Sequence, residues 1–181
     1  QYALSALGAC TARSDASSEW QRSMSFDEQT FHGGHRIGTV SLVAGTSLLE
    51  LVRAAAYASL GRPQPLRVDA AQFSAFLFVD DGSWDVHLRV TLDRLTDVAS
   101  IASKRDGGSS WTIHAEMRAR AHKLASVSPL ADATLRRGCT IRVAQSDFYA
   151  AIGNKYQREF RSAQESWVHS REQVLSRVEF E

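Results

Sequence analysis

The amino-acid sequence predicts an α+β domain in which an antiparallel sheet curls around one central helix. The first observation is a single long apolar stretch with helical signals between Ala44 and Gly61. The second is a run of strand-like segments after Pro65, without the strand–helix alternation that builds a parallel sheet. One buried helix followed by consecutive strands is typical of an α+β architecture.

The predicted central helix carries its own start and stop signals. Ser47 and Glu50 have the spacing of a capping box, so we expect the helix to begin at Ser47. Gly61 follows the last apolar residue, and Pro63 prevents the helix from continuing. Beyond Glu50 and Arg53 the stretch offers little polar surface, which predicts that the helix is buried on most sides.

Apolar residues that alternate with polar ones predict the strands. We expect residues 37–43 to form one mostly buried strand and residues 20–26 to form an edge strand. Glycine-containing segments at 80–83 and 106–109 are expected hairpin connections. Strict alternation over 84–92 predicts one buried and one solvated face. The strands predicted after the helix are 66–79, 84–95, 98–103 and 110–121. A sheet curled around a helix in this way is the hot-dog fold.

The chain is predicted to contain one such subdomain and the beginning of another. Residues 1–122 form the first hot-dog subdomain, 123–138 a linker, and 139–181 the start of a second hot dog. In the last part we expect a strand at 140–143, a helix capped by Ser146 and a terminal strand. Because its first residue is Gln1, the sequence suggests a piece of a longer polypeptide.

Composition and charge narrow the classes of partner. The 21 Lys and Arg residues nearly cancel the 20 Asp and Glu residues, so we expect neither nucleic acid nor an acidic membrane surface as a partner. Cys10 and Cys139 lack the spacing of a zinc site or a disulfide framework, which favours a reducing, cytoplasmic location. No apolar run approaches the roughly 18 residues of a membrane helix, and no signal peptide is evident.

A histidine motif places these patterns in a family. The segment HRIGTVSLVAGTSLLELVRAAA, which begins at His35, resembles the first half of dehydratase domains from polyketide synthases. Their signature is a histidine followed by glycine four positions on and proline nine positions on. Here Thr39 stands at the glycine position, beside Gly38, and Ala44 stands at the proline position.

The resemblance extends in consistent order from about Phe26 to the second predicted subdomain. The residues 111–115 (WTIHA) look like the strand that closes the first hot dog of the family. The segment Asp147-Phe148-Tyr149, followed by Tyr156 and Phe160-Arg161, is similar to the entry into the second hot dog. The family has Gly-Pro after the second tyrosine, whereas this chain has Gln157-Arg158. By the resemblance, the catalytic aspartate is expected beyond Glu181.

The resemblance implies a hydro-lyase that removes water from a 3-hydroxyacyl thioester and forms the 2,3-enoyl thioester. His35 would take the α-proton, because an imidazole accepts a proton near neutral pH. Backbone N–H groups around Thr39 and Gly45 would bind the thioester oxygen, and Tyr156 would lie near the substrate. The family uses no cofactor, and its substrate arrives on the phosphopantetheine arm of an acyl carrier protein. Further partners would be neighbouring synthase domains and a second hot dog, in a homodimer or in the same polypeptide.

Other functions remain open on the sequence. The altered signature also suits a dehydratase-like branching or scaffold domain that binds carrier protein, or a cyclase or isomerase that uses His35. The spacing of His32 and His35 occurs in metal sites, but no third ligand is evident, so we expect no metal. We expect His87 to be solvated and His114 to be structural. Core positions are expected for Trp111, Phe148 and Phe160.

Overall fold

The computed structural model of the chain describes residues 7–62, 64–79, 86–123, 137–152, 154–157, 160–170 and 173–179. The chain forms two compact units. The first comprises Gln1–His32 and Leu42–Leu124, and the second comprises Gly33–Ser41 and Ala125–Glu181. The subdomain boundaries that the sequence suggests remain a prediction, and most of the predicted linker lies outside the described residues.

The first unit is built on a six-stranded antiparallel sheet with the strand order β1-β2-β6-β7-β8-β5. Its strands are β1 (Ala9–Arg13), β2 (Ser17–Ser23), β5 (Leu66–Phe73), β6 (Val86–Asp93), β7 (Val98–Arg105) and β8 (Thr112–Ala121). All neighbours are antiparallel, and the consecutive strands β6, β7 and β8 pair as hairpins, in agreement with the connection predicted at 106–109. β5 pairs with β8 and not with β6, so the hairpin connection predicted at 80–83, which lies outside the described residues, is wrong. The strands predicted after the helix are therefore confirmed, apart from 74–79, which follows the end of β5.

A central helix, α2 (Gly45–Leu60), packs against β6, β7 and β8. Its buried positions include Leu48, Leu51 and Val52, of which Val52 has no exposed surface. The alternation predicted for β6 is confirmed, because every second residue from Val86 to Leu92 is buried. These inward side chains and the apolar face of α2 form one core, so the predicted burial of the helix follows from a sheet that covers it.

The start of α2 differs from the prediction. The helix begins at Gly45, because the carbonyl of Ala44 already accepts hydrogen bonds from the N–H groups of Ser47 and Leu48, at 2.9 and 3.3 Å. Ser47 therefore lies inside the first turn, and the predicted capping box is wrong. The predicted end is confirmed, since Gly61 closes the helix in the left-handed conformation with φ 70°.

The single strand predicted over 37–43 is wrong as well. The structure has two short strands, β3 (His35–Ile37) and β4 (Val40–Ser41), which pair in an antiparallel hairpin. Gly38 turns the chain between them with φ 61°, a value that glycine adopts without steric cost. A glycine inside an apolar run thus marks a turn here.

The predicted edge strand is in the interior of the sheet. β2 lies between β1 and β6, and β1 is the outer strand. The segment after β2 is a short helix, α1 (Phe26–His32), which ends three residues before His35. The sequence prediction was wrong here because it overlooked the pairing of β1 with β2.

The second unit contains two three-stranded sheets. One has the order β10-β3-β4, with β10 at Asn154–Tyr156. The other has the order β12-β11-β9, and its strands are β9 (Ile141–Ala144), β11 (Ala163–Ser170) and β12 (Gln173–Val178). A helix, α3 (Gln145–Ala151), begins before Ser146, so Ser146 is not its cap. Among the described residues, no helix has the length and apolarity needed to cross a bilayer.

Candidate active site

His35 lies on β3, where the pairing with β10 places it directly opposite Tyr156. Side chains at directly opposed positions project from the same face of a sheet. The imidazole ring accordingly contacts the Tyr156 ring, with 5.3 Å between the centroids. The ring of Phe160 lies at the same centroid distance from His35. The structure thus brings together two predicted site residues, His35 and Tyr156, and adds Phe160 to them.

A chain of aromatic and backbone contacts supports this pair. The ring of Tyr149, on α3, lies 5.9 Å from the ring of Tyr156. The hydroxyl of Tyr149 accepts a hydrogen bond of 2.9 Å from the N–H of Ala163, which ties α3 to β11. The N–H of Gln157 donates to the carbonyl of Gly34 at 2.8 Å, next to the ladder that pairs β10 with β3. The residues before and after His35 in sequence, Gly34 and Arg36, are therefore also held by backbone pairing with the segment of β10.

The two residues predicted to bind the thioester oxygen, Thr39 and Gly45, lie in a turn and at the start of a helix. Thr39 is exposed in the β3–β4 turn, and its carbonyl accepts a hydrogen bond from the Arg36 guanidinium. Gly45 is the exposed first residue of α2, in the first unit. The first N–H groups of a helix have no carbonyl partner within the helix, so they remain donors for another acceptor.

Two positions near His35 in sequence, Thr39 and Ala44, depart from the signature that the sequence resembles. Ala44 has φ −63°, the value that a proline ring would impose at that position. The positive φ of the β3–β4 turn belongs to Gly38, and Thr39 is not among the described residues with positive φ. Neither residue therefore has a backbone conformation that is strained for its type.

A mostly apolar cavity of about 530 Å³ opens beside the N-terminal half of α2 in the first unit. Its apolar lining residues are Met24, Phe31, Val43, Leu48, Leu51, Leu77 and Leu88. Helix α1 forms one wall and is held by two hydrogen bonds of 2.5 Å from Arg22 to the carboxylate of Glu28. Burial acts to raise the pKa of Glu28, but hydrogen bonds from Arg22 and the Ser25 N–H outweigh it, so the pKa is lowered.

The remaining histidines have other environments. His114 is buried in the core of the first unit, with Nε2 at 2.7 Å from the Ser103 hydroxyl and Nδ1 at 3.2 Å from the Ala75 carbonyl, which confirms its predicted structural role. Burial lowers its pKa, although the contact with the Ala75 carbonyl opposes this. His87 lies on the polar face of β6, 3.0 Å from the Ser23 hydroxyl. Within the described ranges, no cluster of three or more His, Cys, Asp or Glu side chains could hold a metal ion.

Some residues of the site could not be found from the sequence. Phe160 was expected in the core, but its ring contacts His35. Lys155 and Arg161 line a cavity that Tyr156 also borders. The sequence named Phe160 and Arg161 only as part of a family-like segment, and Lys155 belongs to no motif, so the contact with His35 and the shared cavity became visible only in the structure.

A six-stranded antiparallel sheet wrapped on one central helix defines a hot-dog fold. The family model described as the polyketide synthase dehydratase domain matches residues 6–106, which is more than half of the chain. The chain therefore belongs to the family of polyketide synthase dehydratase domains. No curated protein matches the sequence.

Solved dehydratase domains have the same fold. The dehydratase domain of a mycocerosic acid synthase-like polyketide synthase is 18% identical, with 97% of this chain and 62% of that chain covered and a TM-score of 0.77. The dehydratase domain from the CurF module of curacin polyketide synthase is 15% identical, with 96% of this chain and 65% of that chain covered and a TM-score of 0.80. The chain thus spans less than two thirds of the length of either structure.

A third similar protein is the dehydratase from the CurK module of curacin polyketide synthase, which was solved as two inactive variants. In one, phenylalanine replaces a histidine; identity is 16%, coverage 89% of this chain and 60% of that chain, and the TM-score 0.72. In the other, asparagine replaces an aspartate, with 17% identity and the same coverage and TM-score. Identities at this level establish the fold alone.

Proposed function

We propose that this protein is a dehydratase that eliminates water from a 3-hydroxyacyl thioester on an acyl carrier protein and forms the 2,3-enoyl thioester. The observation that carries the proposal is the position of His35, which stands on β3 with its ring against Tyr156 and Phe160. Elimination requires a base for the α-proton and an acid for the departing hydroxyl. His35 is the base, and a carboxylic acid supplies the proton to the leaving group.

The inactive CurK variants support this division of roles. In that protein, replacement of a histidine and replacement of an aspartate each give a dehydratase described as inactive. An enzyme that is inactive when either residue is replaced needs both an imidazole and a carboxyl group for its reaction. An imidazole suits the role of general base, because an unprotonated ring nitrogen can accept the α-proton.

The thioester oxygen becomes more negative as the α-proton leaves. Backbone N–H groups at Gly45, and in the turn at Thr39, are the proposed donors to this oxygen, because fixed dipoles stabilise the charge that develops in the transition state. Tyr156 borders the substrate beside His35. Binding of the acyl chain requires an apolar surface, because its burial releases water, and the cavity of the first unit has such a lining.

No cofactor takes part in the proposed reaction, because proton transfers alone complete it. The partners are an acyl carrier protein, which delivers the substrate on its phosphopantetheine arm, and neighbouring domains of a synthase. A cytoplasmic location is part of the same proposal.

The test is to incubate the full-length protein with a 3-hydroxyacyl carrier protein and to follow the loss of one water by mass spectrometry. We expect the wild type to dehydrate the substrate and His35→Ala to lose at least about a hundredfold in rate, as removal of a general base does. His87→Ala is the matched control, because it removes a histidine from the polar face of β6 in the first unit.

The scaffold alternative gives a different outcome. A folded wild-type protein that binds the carrier protein but yields no product from several chain lengths would replace the dehydratase proposal with a branching or scaffold role. Product with unchanged mass and a shifted double bond, or a ring, would indicate an isomerase or a cyclase.

A further inference from the structure

A second cavity, of about 600 Å³, lies on the second unit beside Tyr156. It is lined by Ser146, Tyr149, Ala150, Ile152, Lys155, Tyr156, Gln157 and Arg161. Two of these residues are cationic and none is acidic, while three hydroxyls and an amide provide further hydrogen-bonding groups. A concave site with this lining is suited to an anion that accepts several hydrogen bonds.

Among the described residues, the two cations of this cavity have no acidic partner. Elsewhere in the second unit, Arg142 and Arg177 pair with the carboxylate of Glu165. Within the part of the chain that the structure describes, no ion pair involves Lys155 or Arg161. Their charge is therefore available to a ligand. Asp147 lies next to Ser146, at 3.4 Å from its hydroxyl, but it is not part of the lining.

The cations are also positioned by their surroundings. The guanidinium of Arg161 lies over the ring of Tyr149, 5.0 Å from the centroid, and the Tyr149 hydroxyl is fixed by the Ala163 N–H. Stacking on an aromatic ring restricts an arginine and leaves its N–H groups free to bind an anion in the plane. Lys155 stands opposite Arg36 in the ladder between β10 and β3, so another cation lies one strand away.

Lys155 and the proposed base lie on opposite faces of the sheet that contains β10 and β3, whereas Tyr156, which also borders the cavity, lies on the face of His35. Successive side chains of a strand alternate between faces, so Lys155 projects away from the face that carries Tyr156 and His35. β10 is the outer strand of its sheet, so a flexible ligand can pass around its edge from one face to the other. This arrangement suits a long ligand that has an anionic group at one end and a reacting group at the other.

We propose that Lys155 and Arg161 bind the phosphate ester of the phosphopantetheine arm, while the thioester at the other end of the arm reaches His35. This inference rests on the proposed function, because that function supplies the arm. A phosphate ester offers several acceptor oxygens to the guanidinium, the ammonium and the hydroxyls of the cavity. Lys155 and Arg161 are then specificity-determining residues that distinguish a carrier-bound substrate from a phosphate-free thioester.

The test compares the binding of 4′-phosphopantetheine and pantetheine to the full-length protein by isothermal titration calorimetry. We expect the wild type to bind the phosphorylated compound about tenfold more tightly, the effect of one charge-assisted contact. In Lys155→Ala/Arg161→Ala this preference should vanish while the affinity for pantetheine stays the same. Lys155→Arg/Arg161→Lys should retain most of the preference.

The matched control is Arg142→Ala/Arg177→Ala, which removes the same net charge from the same unit outside the cavity. It should keep the phosphate preference of the wild type. Equal binding of the two compounds by the wild type would overturn the inference. An equal loss of affinity for both compounds in Lys155→Ala/Arg161→Ala would also overturn it. So would a loss of affinity for a carrier protein that lacks the arm, because this result would indicate that the cations contact the carrier surface.

The proposed function and this inference can fail separately. A phosphate preference without any dehydration would contradict the proposed reaction and retain the anion site. Dehydration with no phosphate preference would retain the reaction and eliminate the anion site.

Discussion

His35 acquires its surroundings from residues more than a hundred positions away. Its neighbours in sequence, Gly34 and Arg36, provide backbone pairing, whereas the rings that contact it belong to Tyr156 and Phe160. Aromatic contacts at these distances contribute about 0.5–1.5 kcal/mol each beyond area burial. The orientation of the proposed base therefore depends on the ladder between β3 and β10 as much as on the histidine itself.

His114, unlike His35, has a structural role, because it is buried and both of its ring nitrogens contact protein groups. The Ala75 carbonyl can only accept a hydrogen bond, so Nδ1 carries the proton and Nε2 accepts from the Ser103 hydroxyl. This assignment describes a neutral ring, in agreement with the lowered pKa that burial causes. A charged His114 would lose the bond from Ser103 and would be poorly solvated.

A pH-dependent stability follows from His114. Its pKa in the folded protein lies below that of the unfolded chain, which is about 6.5. The unfolded state therefore takes up the proton first, so stability is complete above this pH and is lost as the pH falls through the folded pKa. We expect the free energy of unfolding of His114→Asn to be lower than that of wild type at pH 7.5, by about 1–3 kcal/mol. The difference should shrink at pH 5.

Denaturant unfolding at a series of pH values measures this effect. His87→Asn serves as the control, because His87 lies on the polar face of β6 and is 32% exposed. A difference between wild type and His114→Asn that stays constant from pH 7.5 to pH 5 would contradict the assignment.

At the scale of the elements, the start of α2 is determined by backbone geometry. Ala44 is the N-cap residue, has an extended conformation (φ −63°, ψ 143°) and makes no side-chain cap. Its carbonyl accepts the first hydrogen bonds of the helix. The residue before the helix thus adopts the conformation of a proline without being one.

We predict that Ala44→Pro raises the free energy of unfolding by about 0.4–1 kcal/mol, because proline restricts the unfolded chain at a position where φ already fits. Thermal unfolding measures the change. Ala56→Pro is the matched control, since it places proline inside the same helix and should cost about 3 kcal/mol or more. A destabilised Ala44→Pro would show that the N–H of Ala44 or the path of Val43 matters more than φ.

The first turn of α2 allows a test of the proposed oxyanion donor. Proline is tolerated at the first helical position, and the extended Ala44 that precedes it is compatible with proline. We predict that Gly45→Pro keeps the helix but lowers kcat about a hundredfold or more, because it removes a donor to the developing charge. Steady-state kinetics on a 3-hydroxyacyl thioester measure this change.

Gly45→Ala is the control, because it keeps the N–H and adds only a methyl group. A Cβ at this position would lie 3.3 Å from the nearest ring carbon of Phe73, and the ring is 54% exposed and can move. Activity should therefore stay within a few-fold of wild type. Equal losses in the two variants would assign the effect to the Phe73 contact and not to the N–H group.

At the scale of the molecule, the outer strand β5 and the segment after it expose apolar surface. Phe73, Phe76 and Phe78 are 54%, 62% and 42% exposed, and the rings of Phe76 and Phe78 lie 5.9 Å apart. Among the described strands, β5 pairs with β8 alone. An outer strand with apolar neighbours favours association with a further sheet. This surface is consistent with the prediction of a second hot dog, in a homodimer or in the same polypeptide.

Light scattering after size-exclusion chromatography tests this association on the 181-residue chain. We expect the wild type to have a mass above the 20.0 kDa of one chain. In Phe76→Asp the mass should fall toward 20.0 kDa, because a buried charge opposes association. Leu95→Asp is the control, since Leu95 is 80% exposed in the turn between β6 and β7. A stable monomer in the wild type would contradict the prediction.

The sequence by itself determined the features that depend on near neighbours along the chain. The end of α2 at Gly61 and the buried face of β6 follow from glycine chemistry and from the alternation of side chains. The motif that begins at His35 was also sufficient to indicate the family, whereas the roles of His35 and Tyr156 stay predictions. Each of these signals lies within a few residues of sequence.

Only the tertiary structure decided the features that depend on distant pairing. The position of β10 beside β3 and the contact of Phe160 with His35 arise between segments far apart in the chain. The β3–β4 hairpin and the start of α2 at Gly45 are local, but they depend on the backbone conformations of Gly38 and Ala44, which the apolar pattern did not indicate. Local patterns specify which face of an element is apolar, whereas the choice of partner strand depends on the packing of the whole unit.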